Sequence, residues 1–342
     1  MLFRHLRLVR ESMRIRASLA VFTCLVLVGC TANVSESPLQ GVTAQIGSSV
    51  PLISSFAQSA SLGKGSSQQL PIKLPLESKS VRFAVIGDSG TGDSPQFEVA
   101  RQMEAYREVV DFTFVLMLGD NIYGGDSPGD FARKYEEPYK PLLNAGVKFY
   151  ASLGNHDNPD ERKYKLFNMG GERYYSFKKN DVTFLALDST YMSPEQLSWV
   201  ERQLRDSNSA WKICYFHHPL YSDGKFHGPD LDLRSQLNPL FQKYGVNVVL
   251  SGHEHVYERL KPENGIYYFV LGNSGQLRYH NLRQSDQMQK GYDTDRGFML
   301  VEIAGDKLYF QTISRTGTTI DSDVLPRQPP PSKAEDVQKS QK

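Results

Sequence analysis

"VNVVLSGHEHVYERL", residues 246–260, is the stretch from which the fold can be read. Val246 to Leu250 is apolar but for Asn247, the mark of a buried strand. Ser251-Gly252 then turns the chain and delivers two imidazoles, His253 and His255, with only Glu254 between them. A strand this apolar needs cover on both faces, so its polar freight has to leave at its end.

The same pattern recurs outward along the chain. Apolar runs of strand length occur at residues 81–86, 112–118, 147–153, 182–187, 211–216 and 266–271, with a further pair near 298–313. Most are dense in Val, Ile, Phe and Leu without alternation, as strands covered on both faces should be. Helical patterns separate several of them, at residues 95–109, 128–144, 194–205 and 233–244. The third opens with Ser193 as N-cap and Pro194 in the first turn. This alternation predicts an α/β domain with its working loops at the strand ends. Because the last strands run without helices between them, the sheet is not expected to be purely parallel.

Bulk composition narrows the function. A chain of 342 residues, 39% hydrophobic, can bury a large core. Its 39 basic and 38 acidic residues leave a net charge of +1, which points to no nucleic acid partner. An anionic substrate would have to be recognised locally. At the N-terminus, Arg4, Arg7, Arg10, Arg14 and Arg16 precede an apolar run from Ala17 to Val28, the layout of a secretory signal. Met13 is an alternative start. The run is short for a membrane span, and its ending, "LVGC" (27–30), resembles the bacterial lipoprotein box. The expectation is an exported lipoprotein of the bacterial cell envelope, periplasmic or surface, held to the membrane only by a lipid on Cys30. An ordinary signal peptide is the plainer alternative. With Cys24 inside the signal and Cys30 acylated, Cys214 has no disulfide partner and reads as a packed core thiol. Residues 31–79, rich in Ser, Gln, Gly and Pro, read as a flexible tether. Residues 319–342, ending Pro-rich and then charged, read as a disordered tail. The catalytic domain is then residues 80–318.

Five strands end alike. The first leads to "GDSG" and Asp88, the second to "GDNIY" with Asp120 and Tyr123, and the third to "GNHD" with Asn155, His156 and Asp157. The run at 211–216 leads to "HHP", His217 and His218, and the opening stretch to His253 and His255. Singly, each is a turn, a cap or a packed ring. Together, on strands that share a rim, they would bury carboxylates, imidazoles and a phenol without compensation unless a cation is present. Three histidines, two aspartates, an asparagine and a tyrosine exceed the needs of one ion with an open position. Two ions sharing a carboxylate suit them, and Asp120 is the natural bridge. A phenolate ligand calls for a trivalent ion, so Tyr123 suggests Fe(III) beside it. Of the adjacent pair His217 and His218, which point opposite ways, one faces the metals and the other packs or caps.

The ordered set "GDSG", "GDNIY", "GNHD", "HHP" and "GHEH" resembles the five motifs of the purple acid phosphatases, within the calcineurin-like metallophosphoesterases. "FHGPD" (226–230) and "GFMLVEI" (297–303) are similar to the small tartrate-resistant type, whereas "HVYER" (255–259) is nearer the plant enzymes. The resemblance implies a four-layer αββα sandwich of two mixed β-sheets flanked by helices. It implies Fe(III) on Asp88, Asp120, Tyr123 and His255, and a divalent ion (Fe, Zn or Mn) on Asp120, Asn155, His217 and His253. Glu254 then points elsewhere. His156 would contact phosphate, with Asp157 able to orient its ring, and His227 would contact the leaving group. The implied reaction is phosphomonoester hydrolysis by a metal-activated hydroxide, with a histidine acid favouring mildly acidic pH. Substrates would be small phosphorylated molecules, or phosphoproteins. The alternatives are a related dinuclear enzyme acting on phosphodiesters or nucleotides, and a lipoprotein that keeps the fold only for binding.

Overall fold

The structure is a computed structural model, which describes residues 70–328. Strands β1 (Val81–Ile86), β2 (Phe114–Leu118), β3 (Lys148–Ser152), β4 (Tyr175–Lys179), β5 (Val182–Ala186) and β6 (Trp211–Phe216) come first. They are followed by β7 (Val248–Ser251), β8 (Tyr257–Leu260), β9 (Tyr267–Leu271), β10 (Met288–Tyr292), β11 (Gly297–Ala304), β12 (Lys307–Ser314) and β13 (Thr319–Pro326). Helices α1 (Ser94–Val110), α2 (Pro128–Phe131), α3 (Lys140–Asn144), α4 (Pro194–Asp206) and α5 (Leu231–Lys243) connect them. One sheet has the order β13-β12-β11-β1-β2-β3 and the other β10-β8-β9-β7-β6-β5-β4. Both are mixed: β1, β2 and β3 are parallel, as are β5, β6, β7 and β9, while the remaining neighbours pair antiparallel.

Why the strands lack alternation is visible in the packing. On β1, Phe83 and Val85 enter the apolar cluster between the sheets, while Ala84 and Ile86 enter the cluster under α1. On β6, Ile213 and Tyr215 face the other sheet, and Cys214 and Phe216 face α4 and α5. Three apolar clusters thus fill the three spaces of a four-layer αββα sandwich, and both faces of each central strand are buried.

Three expectations are corrected. The domain begins before residue 80, because Leu74 is buried in the core and Leu70, Ile72 and Leu76 pack against it. Buried Glu302 holds this segment by accepting the backbone N–H groups of Leu76 (2.8 Å) and Glu77 (2.6 Å). It also ends later, since residues 319–326 form β13 rather than a tail. Leu325 on β13 is buried between the sheets, and Asp321 accepts from Tyr257 Oη (2.7 Å) and Arg259 Nε (2.8 Å) of β8. Finally, residues 128–144 are not one helix: α2 runs into a π-helical turn, Ala132–Glu136, and Pro138 and Pro141 deny the next segment its amide donors. The signal, Cys30 and most of the tether, with residues 329–342, lie outside the described residues. Among the described residues no helix is long and apolar enough to cross a membrane.

Candidate metal centre

The C-terminal ends of β1, β2 and β3 in one sheet meet those of β6 and β7 in the other. His217, directly after β6, donates from Nδ1 to the carbonyl of Leu118, the last residue of β2 (3.0 Å). A carbonyl can only accept, so Nδ1 carries the proton and Nε2 presents a lone pair. Nearby, Asp88 N donates to Gly119 O (3.1 Å) and Gly252 N to His217 O (2.9 Å), lacing the loops after β1, β2, β6 and β7 together.

Around this rim the seven side chains fall into two sets. Tyr123 Oη lies 3.2 Å from Asp88 Oδ1, 2.9 Å from Asp120 Oδ2 and 3.3 Å from His255 Nε2. His217 Nε2 lies 3.0 Å from Asn155 Oδ1, 3.0 Å from His253 Nδ1 and 3.4 Å from Asp120 Oδ1. Asp120 offers one oxygen to each set. An ion bonded to nitrogen and oxygen at about 2.0–2.2 Å has ligand–ligand edges of about 2.8–3.6 Å. Both sets therefore have the spacing of a coordination shell, and the lone pair of His217 faces an amide oxygen that also can only accept. The residues fit two cations.

The backbone is bent to make this possible. Asp88 (φ 52°), Asp120 (φ 52°) and His253 (φ 69°) are all in the left-handed region, which non-glycine residues occupy only where the surroundings over-determine it. Gly154 and Gly252 leave room for the carboxylates: a Cβ on the first would collide with Asp120 Oδ1, and on the second with Asp88 Oδ2. The Gly in "GNHD" and "GHEH" is thus a space requirement.

Electrostatics agree. Burial first, then the neighbouring Asp120, pushes Asp88 far above the usual carboxylate range, and burial also raises Asp120. Burial and then the two carboxylates raise the Tyr123 phenol. Burial holds His217 and His253 well below the ordinary imidazole value and lowers His255 to about 4. If mutual attraction dominated, the carboxylates would fall and the imidazoles would rise. Desolvation dominates instead, and a multivalent cation relieves it for every group at once.

Residues 81–257, just over half of the chain, match the family model described as calcineurin-like phosphoesterase. The chain belongs to that family. Within this phosphoesterase family it is similar to tartrate-resistant acid phosphatase type 5 of Homo sapiens, at 27% identity over 74% of this chain and 93% of the relative. It is also similar to purple acid phosphatase 17 of Arabidopsis thaliana, at 26% identity over 64% of this chain and 77% of the relative. Among solved structures, purple acid phosphatase PPD1 from yellow lupin shares the fold with a TM-score of 0.60 at 19% identity, covering 75% of this chain and 55% of that one.

The remaining predicted residues of the phosphoesterase are placed as follows. His156 is exposed, its ring 5.0 Å from that of Tyr123, while its backbone N–H donates to Asp120 Oδ1 (3.0 Å). His227 is also exposed, its ring 4.0 Å from that of His253. Asp157 does not orient the His156 ring, which corrects that expectation. It faces inward and accepts from Asn121 N (2.7 Å), Asn121 Nδ2 (2.8 Å), Ile122 N (3.1 Å) and Gly154 N (2.8 Å), stapling the loop after β2 to the loop after β3. His218 Nδ1 lies 2.9 Å from Ser189 Oγ, yet its tilted ring lies 4.4 Å from that of His253, and it groups with His217 and His253 as a third nitrogen donor that could reach an ion.

Sequence reasoning missed what Glu254 does. Fully buried, it accepts from His227 N (2.7 Å), Gly228 N (2.5 Å) and Asn281 Nδ2 (2.7 Å). It therefore fixes the loop that carries His227 against the turn that carries His253 and His255. The signal was present in the acidic residue between the two histidines, but its partners come from loops that the sequence does not connect.

Proposed function

We propose that this phosphoesterase is an acid phosphatase of the purple acid phosphatase kind, hydrolysing phosphate monoesters with Fe(III) and a divalent ion (Fe, Zn or Mn). The supporting observation is the division of the seven donors into two sets that share Asp120, one of them containing the phenol of Tyr123. When bound, the two cations would supply an activated water and neutralise charge gathering on the phosphoryl oxygens. Asp88, Asp120, Tyr123 and His255 would hold Fe(III), and Asp120, Asn155, His217 and His253 the divalent ion. The protein's own part is positioning and proton transfer. His156, exposed beside Tyr123, would donate to a phosphoryl oxygen. His227, exposed beside His253, would protonate the departing alkoxide from its ring nitrogen.

Burial holds His227 below the ordinary imidazole value of 6.5. An acid must be protonated to act, so kcat/KM should fall as pH rises through a value below about 6.5. His227→Gln should lower the rate and remove that limb. Metal analysis with p-nitrophenyl phosphate assays tests the whole reading. Two ions per chain, a visible tyrosinate band and turnover at mildly acidic pH support it. Absence of the band in iron-loaded protein, with diesters outrunning monoesters, would favour a Mn- or Zn-dependent diesterase.

The proposal extends to location. Residues 1–30 would export the chain and leave a lipid on Cys30, with residues 31–69 as the tether. Radiolabelled fatty acid should enter the wild type and not Cys30→Ala; equal labelling would refute the anchor.

A further inference from the structure

The segment after β9 is strapped to the metal centre by its backbone. Ser274 N donates to Gly87 O (3.1 Å), Gln276 N to Asp88 O (3.0 Å) and Arg278 N to His255 O (3.0 Å), so residues 274–278 follow the ligand loops rigidly. From there the Arg278 side chain reaches over the loop that carries His227. Its guanidinium carbon lies 3.5 Å from the ring centre of Phe226. That ring is 4.5 Å from the ring of His227, which is 4.0 Å from the ring of His253. Cation, phenyl and two imidazoles form one continuous path from the lip of the site to a ligand of the divalent ion.

Two features mark the lip as built for something outside the protein. Among the described residues, no side chain pairs with the guanidinium, and Arg278 Nε is buried without a hydrogen-bond partner. Glu254, the carboxylate that holds the His227 loop, is committed to His227, Gly228 and Asn281. Phe226 and Tyr279 are meanwhile 61% and 59% exposed, large apolar surface beside an unneutralised cation. A guanidinium held over an aromatic face is pre-organised for a two-pronged anion, a carboxylate or a phosphate, because its donors project in the plane of the fork.

Resting on the proposed phosphomonoesterase reading, we infer that Arg278 on its Phe226 platform is a leaving-group subsite for substrates that carry a second anionic group, a carboxylate or a second phosphate. The scissile phosphate would sit at the metal rim, and the far anion would meet Arg278 beyond His227. The subsite would then confer preference for esters of small anionic alcohols over esters of neutral ones.

Matched pairs test it. Affinities of the metal-loaded protein are measured by calorimetry, and kcat/KM by phosphate release, for 3-phosphoglycerate against glycerol 3-phosphate. The same is done for fructose 1,6-bisphosphate against fructose 1-phosphate, which separates carboxylate from phosphate as the recognised group. The wild type should favour the doubly anionic member of at least one pair by about 10- to 100-fold. Arg278→Gln should collapse that ratio toward one. Arg278→Lys should recover only part of it, because charge without the fork and the stack is retained. Phe226→Ala should give an intermediate ratio. A purely structural role for Arg278 would lower both members in proportion and leave the ratio intact, which would overturn the subsite. So would equal wild-type affinities within both pairs. Discrimination in binding without turnover would sink the phosphatase reading and leave the subsite standing.

Discussion

The two halves of the metal centre differ in charge and in exposure. One half gathers Asp88, Asp120 and Tyr123 with a single imidazole, His255. The other has Asn155, His217 and His253, neutral donors whose only carboxylate is the shared Asp120. Asp88, Asp120, His217 and His255 are buried and Tyr123 and His253 half-buried, so the difference in exposure lies in Asn155, which is open to solvent. Hard anionic donors would suit a trivalent ion that stays, and neutral donors with one exposed amide would suit a divalent ion that exchanges. The difference teaches that one rim of one fold can present two donor sets of unlike charge, according to which strand end supplies which donor.

Breaking the shared residue should have the largest effect. Asp120→Ala removes a ligand from both halves, and several kcal/mol of charge stabilisation corresponds to a fall in kcat on the order of 10³ or more. Assay and metal content should fall together; retention of two ions would refute the bridge. Single-half variants sharpen the contrast. His253→Ala should lose the divalent ion and keep a visible iron band, whereas Tyr123→Phe should lose the band. A chelator at neutral pH should likewise strip the half that Asn155 opens to solvent first, and loss of colour before loss of the divalent metal would reverse the assignment.

A smaller effect should come from the residue that ties His227 to the ligand turn. Glu254→Gln keeps the volume but replaces an acceptor oxygen by an amide donor against N–H groups that need an acceptor. A misplaced acid of this kind can lower kcat by up to about 100-fold, with the iron band unchanged. A variant with normal kcat and an unaltered acidic limb would show that His227 is held by other means.

The last prediction concerns stability and leaves the metal rim untouched. Glu161 is buried, with Oε2 unpartnered, and burial, then the neighbouring Asp157, pushes its carboxyl up to about 9. In the unfolded chain it titrates near about 4.3. A raised carboxyl stabilises the fold fully below the unfolded value, and that contribution is lost as pH climbs from about 4.3 to about 9. Glu161→Gln, already neutral, should therefore gain on the wild type in Tm as pH rises from about 5 to about 8. Equal pH dependence of the two melting curves would show that the group is not held neutral.

What the sequence made legible follows the same contrast between wet and dry. The central strands were readable because burial on both faces demands unbroken apolar runs, as in "WKICYF" and "VRFAVI". The seven candidate ligands were readable because each follows such a run. Four strands escaped notice, and three of them, β4, β10 and β13, are sheet edges. "YSFKK", "MQKGY" and "TIDSDVLP" are polar because one side of an edge faces water, and partner strands set their register more than propensity does. β8, "YERL", is four residues long and depends on Asp321 far along the chain. Asp157 misled for a related reason: adjacency to His156 suggested a local partner, while its real donors arrive from the loop after β2. Residues that act through distant loops leave little local trace.

The central claim is that Asp88, Asp120, Tyr123 and His255 hold the iron while Asn155, His217 and His253 hold a different ion beside it. Anomalous diffraction at the iron edge, from crystals of protein loaded with iron and zinc, locates each ion directly. The account predicts an iron peak within bonding distance of Tyr123 Oη and a zinc peak beside Asn155 Oδ1, with Asp120 between them. Iron among Asn155, His217 and His253, or a single peak with all seven side chains in place, would contradict it.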